Sequence, residues 1–358
     1  MIAPLNRRNF LKWGGACLGL NMTAHVSSGQ TELTEAPEPP SLRLYTWTEY
    51  FKPQLVKMFE SDHGCRVELS TFSSNEELLI NLEAERGRYD LITPSAYMIG
   101  MLRRNNLVRP LETPLLSNKT FIERVHLNST EDPNMEWSLP FAVSVSGIGY
   151  NEHRHKPHLP SWQAFDEPGV IHGFSLLDDM REVLGAALRT IGKSVNSTAP
   201  ADIEAAKEVA SRWIRNARNL QSEGYRANLT SGEEKLAHGY GGDFLHEPEN
   251  AGGIQFFIPE EGAPTTNDHF CIPVNSQSAK LAHEFINFFC LPHIAAQNME
   301  WSGFRSTIGE ARNLLPASLS ENPILYPPLE VRSRCEPLAD LGNALPAYEA
   351  AWSALMNG

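Results

Sequence analysis

From residue 42 onward the apolar positions switch repeatedly between a period of two and a period near 3.6, the mark of strands alternating with helices. Residues 42–47 alternate as a strand, 52–61 recur at helical spacing, and 65–71 alternate again. Asn75 is placed to cap a helix running to residue 86, and a third strand over 89–93 stops at Pro94 with a further helical segment behind it. This order predicts an α/β fold with a mostly parallel sheet flanked by helices, whose ligands sit at the C-terminal strand ends. Two later helices stand out. One spans 202–220, rich in Ala, Glu and Arg; the other spans 278–290, where Leu281, Phe285 and Phe288 share a face and Pro292 marks the end. Short strands are expected over 253–258 and 269–274, the second leading into its helix by way of Asn275.

Composition narrows the picture. A chain of 358 residues with 41% apolar content can bury a large core, and length alone suggests two to three domains. No run of eighteen apolar residues offers a membrane span. Thirty basic against 43 acidic residues give a net charge of −13, which argues against nucleic acid or an anionic membrane as partner and fits a cationic ligand better. Arg7 and Arg8 precede the glycine-rich, acid-free stretch 13–24, the layout of a twin-arginine export signal over residues 1–28, with a Glu/Pro-rich linker over 29–41. Removing that signal takes away three cations and no acid, so the charge of −13 becomes −16. Gly14-Gly15-Ala16-Cys17 resembles a lipoprotein box with Gly14 where Leu is usual, so cleavage without acylation of Cys17 is the expectation. Cys65, Cys271, Cys290 and Cys335 are too widely spaced for a CxxC motif or a small disulfide scaffold and read as buried thiols, with one disulfide as the alternative in an oxidising compartment.

The motifs of enzymes are missing: there is no phosphate loop, no G-x-S-x-G elbow and no H-E-x-x-H. Gly239-Tyr240-Gly241-Gly242 starts like a dinucleotide fingerprint, but Phe244 fills the third glycine position, so it reads as a turn. His153, His155 and His158 form the one cluster suited to a transition metal, set among Arg154, Lys156 and Pro157 as in a solvated loop. At the strand ends the chemistry is richer. Trp47-Thr48-Glu49-Tyr50 follows the first strand, Pro94-Ser95-Ala96-Tyr97 the third, and Asp178-Asp179-Met180-Arg181-Glu182-Val183 opens a helix on which Asp179 and Glu182 share a face. Acids beside a helix N-terminal dipole account equally well for that last group.

In order along the chain, Leu44-Tyr45-Thr46-Trp47-Thr48-Glu49-Tyr50, Asp90-Leu91-Ile92-Thr93-Pro94-Ser95-Ala96-Tyr97, Leu177-Asp178-Asp179-Met180-Arg181-Glu182-Val183, Glu284-Phe285-Ile286-Asn287-Phe288 and Ala347-Tyr348-Glu349 resemble the spermidine/putrescine-binding proteins, exported receptors of ABC importers. The likeness spans about 42–356. It implies a two-lobed periplasmic-binding-protein fold of type 2, each lobe a mostly parallel sheet flanked by helices, with a hinge between. Lobe 1 would comprise 42–145 and 266–312, lobe 2 146–265 and 313–358, with crossings near 145–150 and 264–272. It further implies a monomeric periplasmic receptor, not an enzyme, that needs no cofactor and no metal and hands a polyamine to a membrane permease. Matched residue by residue, Trp47, Thr48, Glu49, Tyr50, Ser95 and Tyr97 become ligand contacts of lobe 1. Asp179 and Glu182 would hold an ammonium group from lobe 2, and Asp268 an ammonium on the far side. Tyr240 stands where the family has tryptophan, Thr266 where a wall tryptophan is usual, Phe304 in place of a tyrosine and Leu338 in place of a glutamine. The charges are kept while stacking area and hydrogen bonds are lost, so an amine of altered size or weaker affinity is expected. A receptor or sensor for another small cation, and an envelope metalloenzyme using the His153–His158 cluster, are the alternatives.

Overall fold

The computed structural model describes residues 38–127, 130–245 and 253–357. The expected export signal 1–28, Cys17 and most of the linker lie outside the described residues. The first strand, β1 (Ser41–Trp47), is central in a three-stranded parallel sheet because Leu42 and Leu44 are fully buried on one face and Tyr45 on the other. Proline opens α1 (Pro53–His63), and Gly64 stops it in the left-handed conformation at φ 58°. The chain returns as β2 (Arg66–Phe72), α2 (Asn75–Ala84) and β3 (Leu91–Ile92), giving the sheet order β2-β1-β3.

Two features here differ from the sequence expectation. Ser74, not Asn75, caps α2, its Oγ accepting from Glu77 N at 3.1 Å, which frees the Asn75 side chain to turn inward. The third strand is two residues long, and Asp90 just before it, its backbone N–H still donating to Arg43 O at 2.8 Å, acts as a buried clamp. It accepts from Arg43 Nε at 2.7 Å and from the backbone of Gln277 (2.7 Å) and Ser278 (3.1 Å). Burial works to raise its pKa, yet the Arg43 guanidinium and these amides hold the carboxyl below its usual value.

After α3 (Ile99–Arg104) and β4 (Val108–Arg109) the chain enters the long strand β5 (Leu139–Asn151). A second, mixed sheet is built around it with β6 (Phe174–Leu176), α4 (Met180–Thr190), α5 (Pro200–Asn216), β7 (Asn219–Leu220), α6 (Tyr225–Ser231), β8 (Leu236–Tyr240), β9 (Ile254–Phe257) and β10 (Pro264–Phe270). The first half of β5 pairs with β10 through Leu139–Phe270 to Val145–Thr265, and its second half with β8 and β9. Helix α5 starts earlier and ends earlier than 202–220, since Asn219 and Leu220 join β6 as a strand. The expected strand 269–274 is divided, β10 shifting register between Asp268 and His269 and β11 (Ile272–Pro273) pairing separately with β4.

The chain closes with α7 (Ala279–Phe289), α8 (Pro292–Ser302), β12 (Arg305–Ser306), α9 (Ala317–Ser320), α10 (Leu329–Arg332), β13 (Glu336–Pro337) and α11 (Leu345–Met356). Pro292 both ends the pattern of α7 and occupies the first turn of α8, where its missing N–H costs nothing. Separate cores identify the two lobes. One gathers Phe51, Phe59, Phe141, Phe270, Phe285 and Phe289 in edge and stacked contacts; the other gathers Trp162, Phe165, Phe174, Leu184 and Trp213. The four described cysteines are unpaired, and among the described residues no helix is long and apolar enough to cross a membrane.

Candidate ligand-binding site

β1 ends at Trp47, and the turn after it leads away from the sheet edge. Buried Asn298 on α8 fixes that turn, donating from Nδ2 to Tyr50 O at 3.1 Å and accepting from Lys52 N at 2.9 Å. Within it Glu49 has φ 51°, a left-handed backbone that a non-glycine residue adopts only when its surroundings impose it. Tyr50 is thereby aimed at β10: its hydroxyl donates to Asp268 Oδ2 at 2.5 Å, while Ser95 Oγ donates to Oδ1 at 2.7 Å. The freed Asn75 side chain supports this arrangement from behind, donating to Ser95 Oγ at 3.2 Å and to Tyr97 OH at 2.9 Å and accepting from Ser95 N at 3.1 Å. The orientation of Asp268 is thus set by neighbours that are themselves hydrogen-bonded.

The facing acids come from the start of α4. Asp179 is its N-cap, Oδ1 accepting from Arg181 N at 2.8 Å and Glu182 N at 3.0 Å, and Oδ2 takes no hydrogen bond among the described residues. Arg181 is buried, donating to Ala339 O (2.9 Å) and Asn196 Oδ1 (2.8 Å), with its guanidinium 5.1 Å from the Tyr97 ring and 5.6 Å from the Tyr348 ring. Glu182 is 1% exposed and neither of its carboxylate oxygens is well hydrogen-bonded.

These pieces surround a cavity of about 630 Å³. Glu49, Asp179, Glu223, Asp243, Asp268 and Glu300 line it against the single cation Arg226, and Trp47, Tyr50, Phe72, Tyr97, Tyr225, Tyr240, Trp301 and Phe304 supply ring surface. Crowding acids away from water raises their proton affinity. Burial lifts Asp268 to about 6 against the pull of Tyr50 and Ser95, and lifts Asp243 to about 6 against its hydrogen bond from Tyr225. Burial and the charge of Asp179 lift Glu182 to about 8 and Glu76, at the start of α2, to about 7; Asp179 itself is raised by burial. Asp268 and Asp243 thus titrate just below neutrality, and Glu76 and Glu182 behind the wall near or above it. A bound cation favours their ionised forms.

Ten of the eleven residues singled out from sequence line this one cavity: Trp47, Thr48, Glu49, Tyr50, Ser95, Tyr97, Asp179, Tyr240, Asp268 and Phe304. Glu182 lies outside the wall, buried one turn into α4 within electrostatic reach of Asp179 and Asp268. Thr266 and Leu338 are also in the wall, Thr266 Oγ1 sharing a 2.5 Å hydrogen bond with Ser144 Oγ. Sequence reasoning missed Asp243, Tyr225, Trp301, Glu300 and Asn75. Asp243 sits in the helical turn after β8 that had read as a plain glycine turn, and its position at a strand end was the usable signal. The histidine cluster does not converge: His155 and His158 both turn to Glu167, at 3.3 and 2.9 Å, and among the described residues no group of three His, Cys, Asp or Glu is placed to hold a metal.

A sequence profile of bacterial extracellular solute-binding proteins matches residues 54–327. The spermidine/putrescine-binding periplasmic protein of Salmonella typhimurium is 30% identical over 353 residues, 98% of either chain. Among solved structures, the TpPotD lipoprotein of Treponema pallidum superposes with a TM-score of 0.80 at 32% identity, over 88% of this chain and 99% of that one. The spermidine/putrescine ABC transporter substrate-binding protein PotD of Streptococcus pneumoniae gives 0.75 at 25%, over 88% and 98%. Fold and sequence agree: the chain belongs to the bacterial extracellular solute-binding protein family, alongside the spermidine/putrescine-binding periplasmic proteins.

Proposed function

We propose that this solute-binding protein takes a linear polyamine of the putrescine or spermidine kind into the cavity between its lobes and delivers it to an ABC permease, catalysing no reaction. The observation that carries this reading is the pairing of six acids with eight aromatic rings around one cavity, with a single opposing cation. Each buried ammonium needs a carboxylate partner, and each methylene gains about 0.8 kcal/mol on leaving water. Ring faces add roughly 0.5–2 kcal/mol per cation. Asp268 and the Asp179 cap are the proposed ammonium anchors, with Trp47, Tyr50, Tyr97, Tyr240 and Phe304 along the chain, Thr48 and Ser95 as polar contacts, and Glu49 and Glu182 adding charge. Lobe 1 then comprises 42–145 and 266–312 and lobe 2 146–265 and 313–358, a division supported by the way β5 changes partners near residue 145. The periplasm, reached by a twin-arginine signal and occupied as a monomer, is the compartment this role requires.

A thermal-shift panel of putrescine, cadaverine, spermidine and spermine tests it. Amine at a hundredfold over its dissociation constant stabilises by about 2.7 kcal/mol, a rise of several degrees for a chain of this size. No shift with any of the four at millimolar concentration contradicts the reading.

A further inference from the structure

Beside the cavity, next to Val143, Val145 and Thr265, two glycines meet backbone to backbone. Gly242 lies in the helical turn Gly241–Phe244 that carries Asp243, and Phe244 at its end belongs to a small core with Tyr225, Leu229 and Ile254. Gly303 ends α8 in the left-handed conformation at φ 76°, and Phe304 beside it packs on the other lobe's core with Phe141 and Phe270. The neighbours of the two glycines are therefore anchored in different cores, and the closest approach between the two segments is main chain to main chain. A methyl group at Gly242 would stand 2.7 Å from Gly303 O and 3.0 Å from the Phe304 ring, and one at Gly303 would run into Gly242 O. Neither carbonyl can yield as a flexible side chain would. On both sides of the contact are cavity residues: Tyr240 and Asp243 flank Gly242, and Trp301 and Phe304 flank Gly303.

We propose that Gly242 and Gly303 are the stop at which the two walls of the cavity meet on closing, and that their missing side chains let the Asp243 wall reach the Phe304 wall. Gly303 is also demanded by the helix end it terminates, so a substitution there mixes backbone strain with the contact. Gly242 lacks a positive φ, so alanine is compatible with its own backbone and only the approach of Gly303 excludes it. Gly242→Ala therefore penalises the closed arrangement while leaving each lobe intact.

The proposal depends on the amine reading only for its probe. Spermidine binding to the full chain is followed by stopped-flow fluorescence, and closure by small-angle scattering with and without spermidine. Gly242→Ala is expected to melt like the wild type when ligand-free, to release spermidine at least about tenfold faster with little change in association rate, and to contract less on binding. Equal losses of melting temperature with and without ligand would mean a contact present in every state and overturn the proposal, as would parent-like release and contraction. If the variant fails to fold, hydrogen exchange on the wild type decides instead: segments 241–245 and 302–305 must gain protection together on binding, and unchanged exchange overturns it. A wild type that binds no amine defeats the amine reading alone. The closed fraction sampled by the ligand-free wild type then tests the stop: Gly242→Ala must lose it, scattering as the slightly wider molecule while melting alike, and identical profiles overturn the proposal.

Discussion

Asp268 shows how much of the site's behaviour is set by one side chain. With both oxygens held by Tyr50 and Ser95 and its pKa near 6 when the cavity is empty, it titrates in the range where Glu76, near 7, and Glu182, near 8, also titrate. All three lie above the values of an unfolded chain, about 4. The empty folded protein therefore binds more protons than the unfolded one between roughly pH 4 and 8, and these groups stabilise it less as pH rises through that window. A bound cation favours the ionised forms, so binding expels protons. Amine affinity is expected to climb from about pH 5.5 to 8 and then level, until the amine itself deprotonates near pH 10. Calorimetry at pH 6.5 in buffers of different ionisation enthalpy counts the released protons. A count of zero would show that the acids are already ionised in the empty cavity.

At the scale of one element, α4 separates charge from scaffold. Asp179 both caps the helix and faces the cavity, and asparagine caps about as well as aspartate. Asp179→Asn is expected to keep stability within about 0.5 kcal/mol of the parent while weakening amine binding by about 2 kcal/mol or more, whereas Asp179→Ala also loses about 1 kcal/mol of stability with the cap. Urea titration and binding measured on both variants check this, and parallel losses in the two would contradict it. The same helix shows what sequence reveals. Its start was legible because an acidic cap followed by an apolar face is local information, and β1 was legible because the run over 42–47 is bounded by polar residues on both sides. Asn75 was misread because Ser74 next to it is as good a cap, and only the folded position of Ser95 shows why Asn75 turns inward. Asp243 and Trp301 escaped because their place in the wall depends on β8 pairing with β5 and on the turn at Gly303, contacts made across long stretches of chain. Thr266 could be named as a departure, but not that it would pair with Ser144 on the neighbouring strand.

At the scale of the whole molecule, two cores face each other across a cavity whose acids come from both sides: Asp268 on β10, beside the first core, and Asp179 on α4, within the second. The overall charge of −13 draws cations toward the protein, and on the proposed reading the ring surface of the cavity is what would select a slender chain among them. The wall at Thr266, Phe304 and Leu338 offers less stacking and fewer hydrogen bonds than a tryptophan, a tyrosine and a glutamine would, so the proposed amine affinity rests more heavily on the charges. The most direct test is calorimetric titration of spermidine and putrescine into the wild type and into the Asp179→Asn/Asp268→Asn double variant at pH 8. One amine per chain for the wild type, and at least a hundredfold weaker binding for a double variant that still folds, about 2.7 kcal/mol or more, is the predicted result. Undiminished binding by the folded double variant would contradict the account.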